Sequence, residues 1–119
     1  NIAMYRDILK NYESTGDDYA VELPDYEHLE RPLIEAMTLD SAQCAACGYM
    51  WAVIQDAKEK YGDRIDAVEY KYSTREGIAR CKKMGVQNLP SLYMNGKLYY
   101  SSIIPSPDEF FAEIEKLLL

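Results

Sequence analysis

The sequence predicts an α/β domain in which helices flank a central mixed β-sheet, with an extra helix at the amino terminus. Two observations predict this class. From Leu33 onward, strand-like and helix-like segments alternate in the order strand, helix, strand, helix. Further on, the pair Asn95-Gly96 separates two apolar runs, which is typical of a two-residue hairpin turn, and a last helical pattern follows. A parallel βαβ unit followed by an antiparallel ββα unit would produce this order.

The first third of the chain is predicted to lie outside this domain. An amphipathic helix is indicated by four residues at helical spacing: Tyr5, Ile8, Leu9 and Tyr12. Residues 19–23 fit a short strand, and the polar stretch 24–32 has room for one or two helical turns. We therefore divide the chain into an amino-terminal helix with a linker or arm, 1–32, and an α/β domain, 33–119.

Each element of the parallel unit has its own signal. A short, largely apolar run predicts a first strand over 33–39, and a run rich in Ile, Val and Tyr predicts a second over 65–70. Helices are predicted over 45–61 and 75–84. Each helix is followed by a glycine that predicts its end: Gly62 and Gly85. One buried face of the first helix is predicted from side chains at helical spacing: Met50, Val53, Ile54, Ala57 and Tyr61.

The carboxyl-terminal unit is predicted from turn and cap residues. Strands over 91–94 and 97–100 flank a type I′ turn. The last helix opens with Ser106 as its cap and Pro107 in its first position, and Glu109 completes a capping box. Five residues then form one apolar stripe: Phe110, Phe111, Ile114, Leu117 and Leu118.

Composition limits the partners and the compartment. The chain of 119 residues has 13 basic and 20 acidic side chains and a net charge of −7. This balance argues against binding to nucleic acid or to an anionic membrane through a basic surface. No apolar run approaches the roughly 18 residues of a membrane span. Three cysteines cannot all pair within the chain, so we expect a reducing, cytoplasmic setting.

Two cysteines, Cys44 and Cys47, stand where the first strand ends and the first helix begins. Unpaired N–H groups and the dipole at a helix amino terminus favour negative charge, and the thiolate is the reactive form of cysteine. The spacing predicts a dithiol/disulfide site; a structural zinc half-site or two small buried residues are the alternatives. Zinc needs two further ligands, and the single histidine, His28, is expected in an exposed loop. Cys81 is predicted to be a small core residue, with a regulatory thiol as the alternative.

Three features together resemble the thioredoxin superfamily. They are the Cys44–Cys47 pair after a strand, the run Lys83–Pro90, and the hairpin around Asn95-Gly96. The resemblance covers residues 33–119 and leaves out most of the first thirty. It implies a thioredoxin-like fold with a cis Leu89–Pro90 bond packed against the cysteines. It also implies that the Leu89–Pro90 loop offers backbone groups to a bound substrate chain.

The chemistry that the resemblance implies is thiol–disulfide exchange. Cys44 would attack a substrate disulfide and form a mixed disulfide, and Cys47 would resolve it, which leaves the pair oxidised. The partners are then a protein disulfide and a reductant, without a bound cofactor or metal. Just after the pair, Tyr49 and Trp51 are alternative candidates for the rim of the substrate groove, whereas Met50 is predicted in the core.

The sequence departs from the best-known members of the superfamily near the cysteines. The two residues between them are alanines, so no cationic side chain there stabilises a thiolate. Thr38 stands where many members have a buried acid, thought to accept a proton, and a hydroxyl cannot fill an ionising role. Lys71 falls where members often have a lysine beside that acid. Thr38 and Lys71 are therefore candidate modulators of the reactivity of the cysteines. Glu35 and Asp40 are close in sequence, but the alternation of side chains along the strand does not assign either of them to Cys47.

Two functions of different classes follow. The first is a thiol–disulfide oxidoreductase that reduces disulfides of proteins or of a partner enzyme through Cys44 and Cys47. The alternative is an accessory or docking module for a fused or neighbouring enzyme domain, with a slow or structural cysteine pair. Metal transfer through the pair is a weaker third interpretation. Since Leu89–Pro90 accompanies the cysteines, the sequence favours the first.

Overall fold

The computed structural model describes residues 21–118. The elements follow in the order β1 (Leu33–Thr38), α1 (Ala45–Tyr61), a 3₁₀ turn (Gly62–Arg64), β2 (Asp66–Lys71), α2 (Arg75–Met84), β3 (Ser91–Met94), β4 (Lys97–Ser101) and α3 (Pro107–Leu118). From Leu33 onward, the predicted strand and helix boundaries agree with the structure to within one residue. The helix predicted around residues 5–12 lies outside the described residues and stays a prediction. None of the helices within 21–118 combines the length and the apolar character needed to cross a membrane.

The four strands form one mixed sheet in the order β2-β1-β3-β4. β1 runs parallel to β2, with α1 as the crossover, and antiparallel to β3, which pairs antiparallel with β4. The predicted βαβ and ββα units are therefore confirmed. Met37 near the end of β1 pairs with Ser91 at the start of β3. This register places Pro90, just before Ser91, at the same end of the sheet as the carboxyl end of β1, from which the chain continues to Cys44.

The sheet has a core on each face, because successive strand residues point to opposite sides. α1 and α3 cover one face, and their core includes Ile34, Ala36, Met50, Ile54, Leu92, Met94, Phe110 and Ile114. The predicted buried face of α1 is confirmed, since all five of its residues are buried. The core on the face beneath α2 consists of Met37, Tyr72, Ile78, Cys81 and Tyr93. The prediction that Cys81 is a core residue is thus also confirmed.

The hairpin between β3 and β4 has the predicted turn. Asn95 and Gly96 have φ angles of 53° and 82°, and a type I′ turn requires positive φ at both positions. A Cβ atom on Gly96 would also lie 2.7 Å from the ring of Tyr26. Glycine is therefore required at this position by the turn and by the segment that packs against it.

The helix ends also follow the predicted cap residues. α1 is followed by Gly62 and α2 by Gly85, which adopts the left-handed conformation typical of a helix C-cap. At the start of α3, the Ser106 hydroxyl accepts a hydrogen bond from the backbone N–H of Glu109 at 3.2 Å. This is the Ser106 half of the predicted capping box.

Residues 21–32 are irregular and lie against the domain. The strand predicted over 19–23 is wrong for its described part, and 24–32 contains a single turn, from Asp25 to His28, rather than a helix. The reason is that the carbonyls of Val21 and Glu22 bond to side chains of α2 rather than to a neighbouring strand: Lys83 Nζ lies 2.6 Å from Val21 O, and Arg80 Nη2 lies 3.4 Å from Glu22 O. Further along, the Tyr26 hydroxyl donates to Glu35 Oε1 at 2.6 Å, and Arg31 Nε donates to Asp66 Oδ2 at 2.8 Å. The division at residue 32 stays a prediction.

A buried ion pair lies on the face of the sheet beneath α2. Glu35 of β1 is fully buried, and its Oε2 atom lies 3.8 Å from Nη1 of Arg80. The Tyr26 hydroxyl donates to the other carboxylate oxygen, and the Arg80 guanidinium lies 4.3 Å from the centre of the Tyr70 ring. Burial raises the pKa of Glu35, while the Tyr26 hydrogen bond and the Arg80 charge act in the opposite direction.

Candidate active site

Cys44 and Cys47 lie at the amino terminus of α1 and are not joined by a disulfide. Cys44 is the N-cap residue, with an extended backbone, and its Sγ atom accepts the backbone N–H of Cys47 at 3.4 Å. The first turn of α1 contains no acidic side chain. The Cys44 sulfur is therefore placed where a helix terminus stabilises negative charge.

The two sulfurs have different environments. Cys44 is partly exposed, whereas Cys47 is fully buried. Burial, followed by the hydrogen bond with Cys44, raises the pKa of the Cys47 thiol to about 12, although backbone groups of Leu39 and Asp40 act in the opposite direction. At neutral pH Cys47 is therefore a thiol, and Cys44 is the sulfur that a large substrate can reach.

The loop between β1 and Cys44 is held by Asp40. Its backbone carbonyl accepts from the N–H groups of Gln43, at 3.0 Å, and Cys44, at 2.8 Å. Its side-chain Oδ1 accepts from the N–H of Ala42 at 2.9 Å. The side chain thus mimics a backbone turn, and the loop reaches the helix N-cap with its N–H groups bonded.

Sequence reasoning missed Glu69, a residue of β2 that contacts this loop. Thr38 is fully buried, and its hydroxyl donates to Oε2 of Glu69 at 2.6 Å. Ser41 adds two bonds, from its N–H to Oε2 at 3.0 Å and from its hydroxyl to Oε1 at 2.8 Å. The register pairs Thr38 with Lys71, which puts Glu69, two residues earlier, on the same face of the sheet. That alternation is the signal that could have found it.

Two other charged residues considered from the sequence, Lys71 and Glu35, have different partners. Lys71 lies level with Thr38 in the sheet, and its ammonium group lies 3.8 Å from Oδ1 of Asp40. Glu35 points to the opposite face, where it meets Arg80 and Tyr26, so it is not part of the cysteine site.

The Leu89–Pro90 peptide bond is cis. Pro90 is buried, and its carbonyl accepts the N–H of Ser102 at 2.8 Å. Leu89 is partly buried and packs against the core that contains Met37. The segment therefore lies at the same end of the sheet as the Cys44 loop, and it is bonded on its other side to the residue that follows β4.

A shallow surface depression adjoins Cys44. It is lined by Ser41, Ala42, Gln43, Cys44, Ala45, Gly48 and Tyr49. Tyr49 is 67% exposed, whereas Met50 is fully buried, as predicted, and Trp51 packs partly buried against the core. Of the two alternatives, Tyr49 rather than Trp51 therefore borders the cysteine. Of the described residues 21–118, those that line this depression carry no charge.

The remaining candidate residues lie away from the pair. Cys81 is buried beneath α2, and burial raises its pKa to about 12. His28 is exposed, and its Nδ1 lies 2.7 Å from Asp25 Oδ2. Within residues 21–118, no three or more His, Cys, Asp or Glu side chains are grouped so as to hold a metal ion.

The strand order, the crossover and the flanking helices define a thioredoxin-like fold. The chain is similar to thioredoxin O2 from Arabidopsis thaliana in its oxidized state, with a TM-score of 0.56 and 17% identity over 98% of this chain and 89% of that one. It is also similar to a structure described as a malarial protein, with a TM-score of 0.61 and 19% identity over 76% of this chain and all of the other. Neither the protein-family models nor the curated proteins give a match. At these identities the likeness establishes the fold and not the chemistry of the cysteines.

Proposed function

We propose that this protein is a thiol–disulfide oxidoreductase that reduces a disulfide of a protein or partner enzyme through Cys44 and Cys47. One observation carries the proposal: the partly exposed Cys44 sulfur caps α1 while a buried, protonated Cys47 lies one turn further along. The thioredoxin-like fold supports it, and so does the position of the Leu89–Pro90 segment at the same end of the sheet as the Cys44 loop.

The exchange balances as two thiol–disulfide steps. The Cys44 thiolate attacks one sulfur of the substrate disulfide, the substrate S–S bond breaks, and the departing sulfur takes up a proton. Cys47 then loses its proton and attacks the Cys44 sulfur. The bond between Cys44 and the substrate sulfur breaks, that sulfur takes up a proton and leaves as the second substrate thiol, and the Cys44–Cys47 disulfide forms. Two electrons pass to the substrate, and an external dithiol reduces the pair again.

The buried Cys47 suits the second step. Its raised pKa keeps it protonated in the reduced protein, so Cys44 rather than Cys47 makes the first attack. Once Cys44 is in the mixed disulfide, Cys47 is the adjacent thiol, and proximity makes its attack intramolecular.

The same raised pKa of Cys47 is the observation that favours the alternative, a docking module with a slow or structural cysteine pair.

The midpoint potential of Cys44–Cys47, measured against a glutathione or dithiol buffer, distinguishes the two directions of electron flow. A strongly reducing value supports a reductase, and an oxidising value supports disulfide formation.

The activity is tested by reduction of insulin with the protein and a small dithiol. We expect insulin reduction well above the rate with the dithiol alone. The matched control is Cys81→Ala, which leaves the pair intact and changes a thiol on the opposite face of the sheet, so it should keep the activity. A rate no higher than that of the dithiol alone would reject the proposed function.

A further inference from the structure

Glu69 is a carboxylate on β2 whose two oxygens both bind the chain that leads to Cys44. Oε2 accepts from the Thr38 hydroxyl at 2.6 Å and from the Ser41 N–H at 3.0 Å, and Oε1 accepts from the Ser41 hydroxyl at 2.8 Å. Hydrogen bonds to an ionised carboxylate are stronger than those between neutral groups. A side chain of the neighbouring strand thus anchors both the end of β1 and the loop that follows it.

Ser41 is connected to the cysteine site from two directions. Along the chain, the next residues form the turn in which the Asp40 carbonyl accepts the Cys44 N–H at 2.8 Å. Across space, the Ser41 carbonyl lies so close to α1 that a Cβ atom on Gly48 would be 3.0 Å from it. A displacement of Ser41 would therefore be transmitted to the first turn of α1, where Cys44 is the N-cap.

We propose that Glu69 is a positioning residue for Cys44. By holding Thr38 and Ser41, its carboxylate fixes the loop so that the Cys44 sulfur stays at the N-cap of α1, where the helix terminus stabilises a thiolate. It acts through hydrogen bonds and through the loop. The consequence for disulfide exchange rests on the proposed function, but the positioning of the sulfur does not.

The glutamine variant separates hydrogen bonding from charge. In Glu69→Gln the amide oxygen can keep the bonds from Thr38 and from the Ser41 N–H. The amide NH₂ then donates to the Ser41 hydroxyl, which can accept as well as donate. Glu69→Ala removes all three bonds. Glu59→Ala changes an exposed glutamate on α1 and serves as the matched control.

The test is the rate of Cys44 alkylation by iodoacetamide at neutral pH, followed by peptide mass mapping of the full chain. We expect Glu69→Ala to slow alkylation about fivefold, while the rates of Glu69→Gln and Glu59→Ala match that of wild type within experimental error. A folded Glu69→Ala protein with the wild-type rate would overturn the proposal. So would a Glu69→Gln protein slowed as much as Glu69→Ala, since charge would then be responsible.

A second variant covers the case in which Glu69→Ala does not fold. Ser41→Ala removes only the hydroxyl bond to Oε1 at a partly exposed position. We expect alkylation about twofold slower, in the same direction; an unchanged rate would overturn the proposal. Alkylation needs no substrate disulfide, so the two proposals fail separately. If insulin is not reduced, only the proposed function is rejected. If these variants are alkylated at the wild-type rate, only the role of Glu69 is rejected.

Discussion

Replacing Cys44 with serine is expected to reduce the rate of insulin reduction by at least about three orders of magnitude, as loss of a nucleophile does in other enzymes. A serine hydroxyl is not ionised at neutral pH and cannot form a mixed disulfide. The fold should persist, because Cys44 is partly exposed and serine is a favourable N-cap residue. The measurement is the insulin assay, with circular dichroism of the same sample to show that it is folded.

The Cys81→Ala control must behave differently in that assay for the interpretation to hold. Both variants remove one thiol, but the Cys81 side chain is buried among Met37, Ile78 and Tyr93. A folded Cys44→Ser protein that keeps the wild-type rate would place the chemistry elsewhere in the molecule.

Arg80→Met is expected to destabilise the protein by about 3 kcal/mol at neutral pH, the magnitude found when one partner of a buried ion pair is removed. Glu35 is fully buried, and the Arg80 side chain is 10% exposed. Without the guanidinium, the carboxylate would lose its nearby positive charge and keep the hydrogen bond from Tyr26. Urea denaturation of the variant and of wild type measures the difference.

The exposed pair Lys116–Glu113 is the matched control for this prediction. The Lys116 side chain is 69% exposed and its Nζ lies 3.0 Å from the Glu113 carboxylate. Lys116→Met should change the free energy of unfolding by less than about 1 kcal/mol, because water screens such pairs. Equal losses from Arg80→Met and Lys116→Met would contradict the assignment of Glu35 as a buried charge.

The pH dependence follows from the raised pKa of Glu35. In the folded protein it exceeds its ordinary value of 4.5, so the folded state binds this proton more tightly than the unfolded state does. Stability from the protonated form is therefore lost as pH rises from 4.5 toward the folded-state pKa. Arg80 lowers the folded-state pKa of Glu35. Removing Arg80 therefore increases the difference between the folded and unfolded pKa values, and with it the stability that is lost at neutral pH.

Two comparisons test this account of Arg80→Met. The free energies of unfolding of the variant and of wild type should differ less at about pH 4 than at about pH 7, because at the lower pH Glu35 is mostly protonated in both the folded and the unfolded protein. Adding Glu35→Gln should restore most of the lost stability at neutral pH, since the amide oxygen still accepts from Tyr26. A loss that is independent of pH and unaffected by Glu35→Gln would point to lost packing of Arg80 on Tyr70.

The sequence predicted the parts of the fold that depend on local signals. Gly62 and Gly85 mark the ends of their helices, and Asn95-Gly96 specifies a turn that few other pairs adopt. The cysteine pair was identified because its position at a helix start is also a local feature. The strand predicted over 19–23 was wrong in its described part because side chains of α2, distant in sequence, bind the backbone carbonyls of that segment.

The contacts around the cysteine site could not be predicted from local signals, because they depend on the tertiary structure. Thr38 was expected to contribute no ionising group, and the structure shows that its hydroxyl binds a carboxylate from the next strand. Glu69 lies 25 residues beyond Cys44, and only the register of β1 against β2 brings it to the loop. Lys71 lies beside Thr38 in the sheet, where the resemblance placed it, and only the tertiary structure shows that its ammonium group lies 3.8 Å from Oδ1 of Asp40.

Trapping the mixed disulfide tests the central claim most directly. In Cys47→Ser the resolving thiol is absent, so the first exchange step should stop with the substrate covalently bound. Incubation with oxidised insulin and peptide mass mapping should locate the adduct at Cys44, released by added dithiol. The absence of an adduct, or an adduct at Cys81 instead, would contradict the assignment of Cys44 as the attacking sulfur.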